Sequence, residues 1–507
     1  MSNTVKIPRG FIVFGVCTLL AVLLGYMLSD PADPSSLVVV VLVLFVLSMP
    51  LLMRWHHPLL VLSWNMALCP FFLPGRPFIW LPMAGASMFF AVLNRSVNAQ
   101  KQFLLVPSLV RPLLFFTAVI VATALLTGGF GLRTLGSGHY GGKAYLYILG
   151  AIVGFFAFTS ERIPPGRAPL YVAMFFLPAL TWVVAHLAYL GGPTCYFLFS
   201  WFPISSVLEQ AGPDFVLGSL MGKWEGWALA AAGLYGFLFA RYGLRGVLDL
   251  GRPWRCLVLL VCVGGCLGSG FRSAFIQFLL TFAVMFWLER LHRTRLLPLL
   301  AGAGLLLGAA TFAQVHRLPF VVQRSLSFLP LPVDPAVRQN ADDSTEWRID
   351  MWRAVWPEIP RYLIRGKGYS LDPQELYFSQ LSGQREGENW QPAFVAGDYH
   401  NGGLTILIPF GLFGVVGFLW FLAASLRYLH YNFRNGPPEL RHVNTFLFAA
   451  FVAKAVFFFA VFGSFYSEFY SFTGLMGLSV SLNGSPAAVP ETETPASAAL
   501  ATLPARV

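Results

Sequence analysis

The chain has very few charged residues for its length. Only 11% of its 507 residues are Asp, Glu, Lys or Arg, whereas 56% are hydrophobic, and the mean hydropathy is +0.66. Soluble globular domains contain about 25% charged residues, so this composition excludes a soluble globular protein. Apolar runs long enough to cross about 30 Å of hydrocarbon as helices recur along the chain. The sequence therefore predicts an all-α, polytopic transmembrane helical bundle.

The apolar runs do not alternate with polar residues as barrel strands do, and they predict about 12–14 helical spans. The predicted spans lie near residues 11–28, 36–53, 58–73, 78–94, 113–130, 143–159, 169–190, 225–240, 255–270, 272–288, 296–315, 403–425, 443–463 and 470–482. The predicted domains are N-terminal transmembrane helices in 1–315, one large extracytoplasmic loop in 316–402, C-terminal transmembrane helices in 403–483 and a disordered tail in 484–507.

Acidic residues are scarce compared with basic ones, and the net charge is +11. With the N-terminus inside, seven predicted cytoplasmic segments hold 18 Lys and Arg residues, whereas the short exterior loops hold only four. This asymmetry is the positive-inside pattern of membrane proteins, and it explains the basic balance without a nucleic-acid partner. It also predicts that residues 316–402, the loop 191–224 and the outer end of the span at Arg272 lie outside the cytoplasm.

Features of several other protein classes are missing. Five of the six cysteines lie in predicted spans, so no disulfide framework holds the large loop. The predicted spans contain no deep Asp or Glu, which disfavours an ion-coupled transporter. The Gly366-Lys367-Gly368 turn lacks the spacing of a phosphate-binding loop. The sequence predicts no metal site, no cofactor and no nucleotide-sugar chemistry.

The large loop contains an arginine on a predicted amphipathic helix. This helix runs from about Ser344 to Val355, and the adjacent Asp342-Asp343 pair is interpreted as a turn that precedes it. Arg348 and Trp352 share one face of the helix, since they are four residues apart. Arg348 either binds an anion or is simply solvated by neighbouring carboxylates on the helix surface.

A histidine at the entry to the next span is the sharpest candidate for catalysis. His400 follows Asp398 and precedes Asn401 and an apolar run. An imidazole with a pKa near neutrality can take a proton from a hydroxyl group, and a neighbouring carboxylate can hold its tautomer. The alternative interpretation is structural, with His400 capping the next helix alongside Asn401.

Two further cations lie at or within predicted spans. Arg272 follows the Gly268-Ser269-Gly270 turn and opens a span; its guanidinium either offers a fork to phosphate oxygens or snorkels to the membrane interface. Lys454 lies in the middle of a span, where an unpaired charge is costly. It either reaches an anionic lipid group through a cavity or is paired within the bundle.

Over about residues 255–425 the chain resembles the O-antigen ligase and polymerase superfamily of bacterial membrane glycosyltransferases. The segment Ser-Gly-Phe-Arg-Ser-Ala-Phe around Arg272 is similar to the family's Ser-x-Ser-Arg-Gly-Ala helix start. The other matching elements are Arg348, Trp352 and Ala354, then Pro360 and Gly366-x-Gly368, then Tyr-His-Asn-Gly-Gly-Leu at His400 followed by Gly-Leu-Phe-Gly. The order and spacing of these elements, rather than any one of them, carry the resemblance.

The resemblance implies a C-type fold in the bacterial inner membrane that transfers glycan from an undecaprenyl-pyrophosphate carrier on the periplasmic face. It implies that Arg272 and Arg348 contact the pyrophosphate and that His400, with Asp398, is the base for the acceptor hydroxyl. Asn401 is placed with the substrate contacts. The family often has an arginine and an asparagine before the span at 225, where this chain has only Lys223 as a cation. Either Lys223 substitutes for that arginine, or the contact is missing.

The predicted function is therefore a membrane glycosyltransferase of cell-envelope polysaccharide biosynthesis. Its predicted partners are a lipid-linked oligosaccharide donor, a glycan or lipid acceptor and membrane lipids. The alternative is a multi-pass transporter of a solute or a lipid-linked glycan, and a non-catalytic membrane scaffold is a third possibility. A polar exterior loop that ends at a histidine favours the enzyme over the transporter.

Overall fold

The chain is helical almost throughout. The computed structural model describes residues 9–27, 34–73, 75–98, 103–131, 140–203, 223–382 and 390–484. Within these residues the only β-structure is one isolated bridge, between Tyr140 and Leu371, which confirms the all-α prediction. Residues 485–507 of the predicted disordered tail lie outside the described residues.

The chain divides into two compact units, residues 1–56 and 57–507. The first unit holds α1 (Arg9–Met27) and the beginning of α2 (Pro34–Ser63). The second unit holds the end of α2 and the helices that follow. They are α3 (Trp80–Val97), α4 (Pro107–Thr127), α5 (Gly142–Phe158), α6 (Ala168–Phe176), α7 (Val183–Leu190), α8 (Glu225–Val247), α9 (Pro253–Gly268), α10 (Arg272–Leu288), α11 (Leu296–Gln314), α12 (Phe320–Leu326), α13 (Pro335–Val355), α14 (Ile359–Tyr362), α15 (Pro373–Ser382), α16 (Gln391–Val395), α17 (Leu404–Asn435), α18 (Arg441–Ala460) and α19 (Phe465–Asn483).

Several of the described helices have the length and composition of membrane spans. Five segments are long and apolar enough to cross a bilayer: Pro107–Thr127, Pro165–Leu190, Leu296–Arg317, Leu404–Asn435 and Pro438–Ala460. Shorter apolar helices include Gly142–Phe158, Pro253–Gly268 and Arg272–Leu288. The chain is thus an all-α helical membrane protein, whereas the predicted count of about 12–14 spans stays a prediction.

One predicted break between spans is absent. Helix α2 runs through the predicted gap between the spans near 36–53 and 58–73 and ends at Ser63, so residues 64–73 of the second predicted span are not helical. The intervening residues, Arg54, Trp55, His56 and His57, form one of the seven predicted cytoplasmic segments. They contain no glycine, and none of these residue types breaks a helix, so the helix continues through them.

Phenylalanine rings hold the helices of the second unit together. Phe116 of α4 lies 5.8 Å from Phe410 of α17 and 5.4 Å from Phe465 of α19, measured between ring centroids. Phe418 of α17 lies 5.2 Å from Phe465. Such edge-to-face contacts add about 0.5–1.5 kcal/mol each to the burial of the rings. They fix α17, whose first turn follows the segment that contains His400.

Helix α17 is broken near its beginning, and the large loop closes onto the break. Pro409 lies inside the helix, and Gly411 has non-helical dihedral angles with φ of +63°. The break at Gly411 frees the carbonyl of Ile408 from its helical partner four residues later, since the N–H of Leu412 instead donates to the carbonyl of Leu363 at 2.7 Å. The N–H of Lys367 donates to the carbonyl of Ile408 (2.7 Å), and the N–H of Gly368 donates to the carbonyl of Pro409 (2.9 Å). The Gly-x-Gly turn is therefore a structural clasp, defined here as residues 366–368, that pins the loop to α17.

The helix that contains Arg348 is longer than predicted. It begins at Pro335 rather than near Ser344, with Asp334 as its N-cap accepting from the N–H of Ala336 at 2.9 Å. The pair Asp342-Asp343 consequently lies within α13 and is not a preceding turn. The additional turns of α13 lie beside Arg272 and line the cavity described below.

Candidate functional site

A cavity of ≈ 1110 Å³ lies within the second unit, between the large loop and the helices. Charged and polar side chains line one part of it, among them Lys223, Arg324, Arg348, Asp398 and His400. Aromatic and aliphatic side chains from the helices line another part, among them Phe175, Phe176, Phe446, Phe457 and Leu475. Four of the residues predicted from the sequence to act at the site line this cavity, namely Lys223, Arg348, Asp398 and His400, and a fifth, Arg272, borders it.

His400 is held between two aromatic rings at the cavity. Its ring centroid lies 4.9 Å from that of Trp347 and 4.9 Å from that of Phe462. Its backbone has φ of +50°, in the left-handed region that few non-glycine residues adopt. Its Nε2 lies 3.8 Å from Oδ2 of Asp398, which is longer than a hydrogen bond. The Nδ1 atom is buried without a hydrogen-bond partner among the described residues, and His400 lines the cavity.

The surroundings of His400 keep its imidazole neutral at neutral pH. Burial lowers the pKa of His400 below its ordinary value; the charge of Asp398 opposes this shift, whereas Arg348 and Lys223 lower the pKa further. A general base must be unprotonated before it acts. The net direction of the pKa shift therefore favours the form of the imidazole that accepts a proton.

Trp352 and Asn401 fix the segment on either side of His400. The indole N–H of Trp352 donates to the carbonyl of Tyr399 at 2.8 Å, and Tyr399 is buried. The side-chain oxygen of Asn401 accepts from the N–H of Leu404 at 3.1 Å. The capping function proposed as the alternative for His400 thus belongs to Asn401. Asn401 is not among the residues that line the cavity, and its predicted substrate contact stays a prediction.

Three guanidinium groups converge on the polar part of the cavity. Arg324 and Arg348 line it, and Arg272 at the start of α10 borders it. Burial and the charge of Arg272 lower the pKa of Arg348 from its ordinary value and that of Arg324 to about 10. Both shifts place Arg272 close to the other two. Like charges that are partly removed from water destabilise one another, and a polyanion bound between them would offset that repulsion.

Hydrogen bonds to neighbouring backbone groups hold these cations in place. Arg272 donates to the carbonyl of Ala341 in α13 at 3.2 Å, and Arg348 donates to the carbonyl of Val461 at 3.4 Å. The N–H of Trp224, the residue after Lys223, donates to the carbonyl of Ser269 in the turn before Arg272 at 2.8 Å. Lys223 is thereby positioned beside the same cavity, which it lines.

Arg324 was not predicted from the sequence. It lies on the short helix α12 and is only 8% exposed. The hydroxyl of the next residue, Ser325, donates to the carbonyl of Leu267 in α9 at 2.7 Å, which anchors α12. The sequence Phe-Val-Val-Gln-Arg-Ser-Leu contains no clear signal, because both neighbours of Arg324 are polar and an arginine is ordinarily exposed.

Lys454 forms an ion pair within the bundle. Its Nζ lies 2.8 Å from Oε1 of Glu468 in α19, and both side chains line the cavity. This arrangement is the pairing alternative given above. The sequence argument against a transporter, that the predicted spans contain no deep carboxylate, did not count Glu468, which the structure includes in α19. That argument against a transporter is accordingly weaker than the sequence alone indicates.

Residues 257–419 match the family model described as O-antigen ligase. The matched segment runs from α9 into α17 and contains Arg272, Arg324, Arg348 and His400. The predicted resemblance to the O-antigen ligase and polymerase superfamily is confirmed for this segment. This match supports a membrane glycosyltransferase of the O-antigen ligase or polymerase type. No curated protein matches the chain. Lys223, Lys454 and Glu468 lie outside the matched segment, although all three line the same cavity as His400.

The described residues contain no group of three or more His, Cys, Asp or Glu side chains that could hold a metal ion. Four carboxylates line the cavity, those of Glu225, Asp343, Asp398 and Glu468, and Glu468 is paired with Lys454. The cationic part of the cavity is instead suited to binding a phosphate-containing ligand through guanidinium groups.

Proposed function

We propose that this protein transfers or polymerises glycan from an undecaprenyl-pyrophosphate-linked donor at the periplasmic face of the bacterial inner membrane. In this proposal the large loop 316–402 is periplasmic, and neither a metal ion nor a nucleotide sugar takes part. The acceptor is a hydroxyl group of a second glycan or of a lipid-linked saccharide. Predicted partners thus remain the lipid-linked donor, the acceptor and the surrounding membrane lipids.

The convergence of the guanidinium groups and His400 on one cavity carries the proposal. Arg324, Arg348 and His400 line the cavity, and Arg272 lies close enough to lower the pKa of both arginines. A pyrophosphate offers several anionic oxygens to such a cluster, and arginine binds them in bidentate fashion. The apolar part of the same cavity offers contacts to an isoprenoid chain.

The proposed reaction assigns one role to each group. The acceptor oxygen attacks the anomeric carbon of the donor sugar while its proton passes to His400. The bond between that carbon and the pyrophosphate oxygen breaks, and the electron pair leaves with the carrier. Cations placed where this negative charge develops stabilise the transition state. Asp398 supports the protonated form of His400 that results from the transfer.

The test is turnover of an undecaprenyl-pyrophosphate-linked glycan by the protein in lipid nanodiscs. Arg272→Lys, Arg324→Lys and Arg348→Lys keep the charge but lose the bidentate fork, so each should lower the rate by about tenfold or more. Arg353→Lys is the matched control, because Arg353 is on the same helix as Arg348 but its side chain is 76% exposed. Wild-type turnover in the first three variants would show that these arginines only anchor the protein.

The transporter alternative gives a different result in the same preparation. An enzyme forms a new glycosidic bond in nanodiscs, where no second compartment exists. A transporter leaves the lipid-linked glycan chemically unchanged there and moves it only across sealed vesicles. Chelation of divalent ions should leave turnover unaffected if the proposal of metal independence is correct.

A further inference from the structure

We propose that Lys454, Glu468 and Gln277 form a second binding site within the cavity, which takes the hydroxyl groups of a sugar residue. The inference rests on the proposed function and deepens it, because it assigns the saccharide a place separate from the pyrophosphate. All three side chains line the same cavity as His400. Gln277 lies in the segment that matches the family model, whereas Lys454 and Glu468 lie outside it.

The ion pair leaves part of its hydrogen-bonding capacity unused. Lys454 Nζ contacts Glu468 Oε1 at 2.8 Å, and the two side chains are 19% and 15% exposed. Glu468 Oε2 is buried and has no hydrogen-bond partner among the described residues. A lysine ammonium carries three donors, so one contact to Glu468 does not exhaust it. The pair thus presents an acceptor and donors side by side at the cavity wall.

Gln277 adds a further unpartnered acceptor. Its amide nitrogen donates to the hydroxyl of Thr281, one turn later in α10, at 3.4 Å. Its Oε1 is buried without a hydrogen-bond partner in the described part of the chain. A buried polar atom that lacks a partner is destabilising, so a ligand that donates a hydrogen bond to these oxygens removes that penalty on binding.

These groups lie close to the proposed catalytic residues. Gln277 is in the second turn of α10 and Glu468 in the first turn of α19, and Lys454 is about 9 Å along the axis from the end of α18. The carboxylates of Glu468 and Asp398 are near enough to interact electrostatically. A sugar bound at Glu468 therefore occupies the cavity that His400 also lines.

The chemistry of the site selects a neutral polyol rather than a phosphate. The charges of Lys454 and Glu468 cancel, and the unpartnered oxygens of Glu468 and Gln277 repel an anion. Sugar hydroxyls both donate and accept, which matches a wall that offers both. Aromatic rings of Tyr466 and Tyr470 line the same cavity and present apolar faces on which a sugar ring can lie. The sugar can be that of the donor or that of the acceptor.

The test variant is Lys454→Met combined with Glu468→Gln. It removes both charges together, because removing one alone would leave the other buried and uncompensated. The matched control is Arg353→Met combined with Asp350→Asn, which removes an ion pair of 3.0 Å whose side chains are 76% and 45% exposed. Gln277→Met is an independent variant that changes no charge and retains side-chain length.

Binding is measured in nanodiscs with three probes: bare undecaprenyl pyrophosphate, the same carrier bearing its glycan, and the phosphate-free oligosaccharide released from that glycan. We expect the double variant to bind a saccharide probe about tenfold or more weakly, since charge-assisted hydrogen bonds are lost. Gln277→Met should weaken the same probe to a smaller extent. Binding of the bare carrier should be unchanged in both.

The probes separate the possible sources of the sugar. Weaker binding of the glycan-bearing carrier assigns the site to the donor sugar. Weakening confined to the free oligosaccharide assigns it to the acceptor, and either result supports the site. Wild-type affinity for both saccharide probes, or an equal loss for the bare carrier, overturns it. Failure of the proposed function looks different: the bare carrier would not bind the unsubstituted protein, and Arg272→Lys would have no effect.

Discussion

Replacing His400 with asparagine separates proton transfer from the structural contacts of this side chain. Asparagine tolerates the left-handed backbone conformation, φ of +50°, that His400 adopts. The cap of α17 is formed by Asn401, whose side chain accepts from Leu404, so it survives the change. What the variant loses is the imidazole, both as a base and as a ring packed between two others.

The two losses have different sizes and appear in different measurements. The ring contacts of His400 with Trp347 and Phe462, each 4.9 Å between centroids, are worth about 0.5–1.5 kcal/mol apiece. The free energy of unfolding should therefore fall by about 1–3 kcal/mol. Loss of a positioned general base lowers the rate by roughly a hundredfold to ten-thousandfold. His400→Ala should lose activity to the same degree.

The assay compares turnover of the lipid-linked donor with thermal unfolding of the same preparation. Trp352→Phe is the control, because it removes the hydrogen bond to the carbonyl of Tyr399 and part of the indole ring without changing His400. It should lower stability by about 1 kcal/mol or more while most turnover remains. If His400→Asn turned over donor at the wild-type rate, His400 would be a packing residue, and the base would have to be sought elsewhere in the cavity.

Three further outcomes are expected. The charge of Asp398 raises the pKa of His400 against the effect of burial. Asp398→Asn should therefore lower that pKa and move the acid limb of the pH profile of kcat/KM, where the base becomes protonated, to lower pH. If the acid limb does not move, a group other than His400 titrates there. Gly366→Ala should lower the free energy of unfolding by several kcal/mol, roughly the sum of backbone strain at φ of +76° and the lost hydrogen bonds of the clasp. The control is Gly302→Ala, which should be neutral or stabilising because nothing lies near the added carbon. A cysteine placed at Ser382 should react with an impermeant reagent in intact cells, and protection there, with the unsubstituted chain as background, would reverse the proposed orientation.

The sequence was sufficient where local composition decides the structure. The span predicted at 272–288 coincides with α10, because the Gly268-Ser269-Gly270 turn and Arg272 mark its beginning and continuous apolarity marks its course. The beginning of α13 was predicted wrongly although a local signal existed. Asp334 followed by Pro335 is a favourable N-cap and first helical residue. The polar and charged residues of the first two turns obscured that signal, because only Val337 and Ala341 in those turns are buried.

Other features depend on packing that no local pattern contains. The partner of Lys454 is Glu468 in the next helix, and their meeting requires α18 and α19 to pack side by side. Arg324 reaches the cavity only because α12 is anchored to α9 through Ser325. The sequence did identify Arg272, Arg348, Asp398 and His400, since their types and positions at span or helix ends are informative on their own. The structure brings these four to one cavity or its border.

The clasp at residues 366–368 has a consequence for engineering this protein. Because its backbone N–H groups bond to the carbonyls of Ile408 and Pro409 inside a broken membrane helix, the loop 316–402 is not an autonomous module. Grafting that loop alone onto a relative would separate the N–H groups of the clasp from the carbonyl groups of α17 that accept their hydrogen bonds. A chimera intended to exchange specificity should transplant the loop and α17 as one block, and a fragment of the loop produced by itself in water should not reach the fold that it has here.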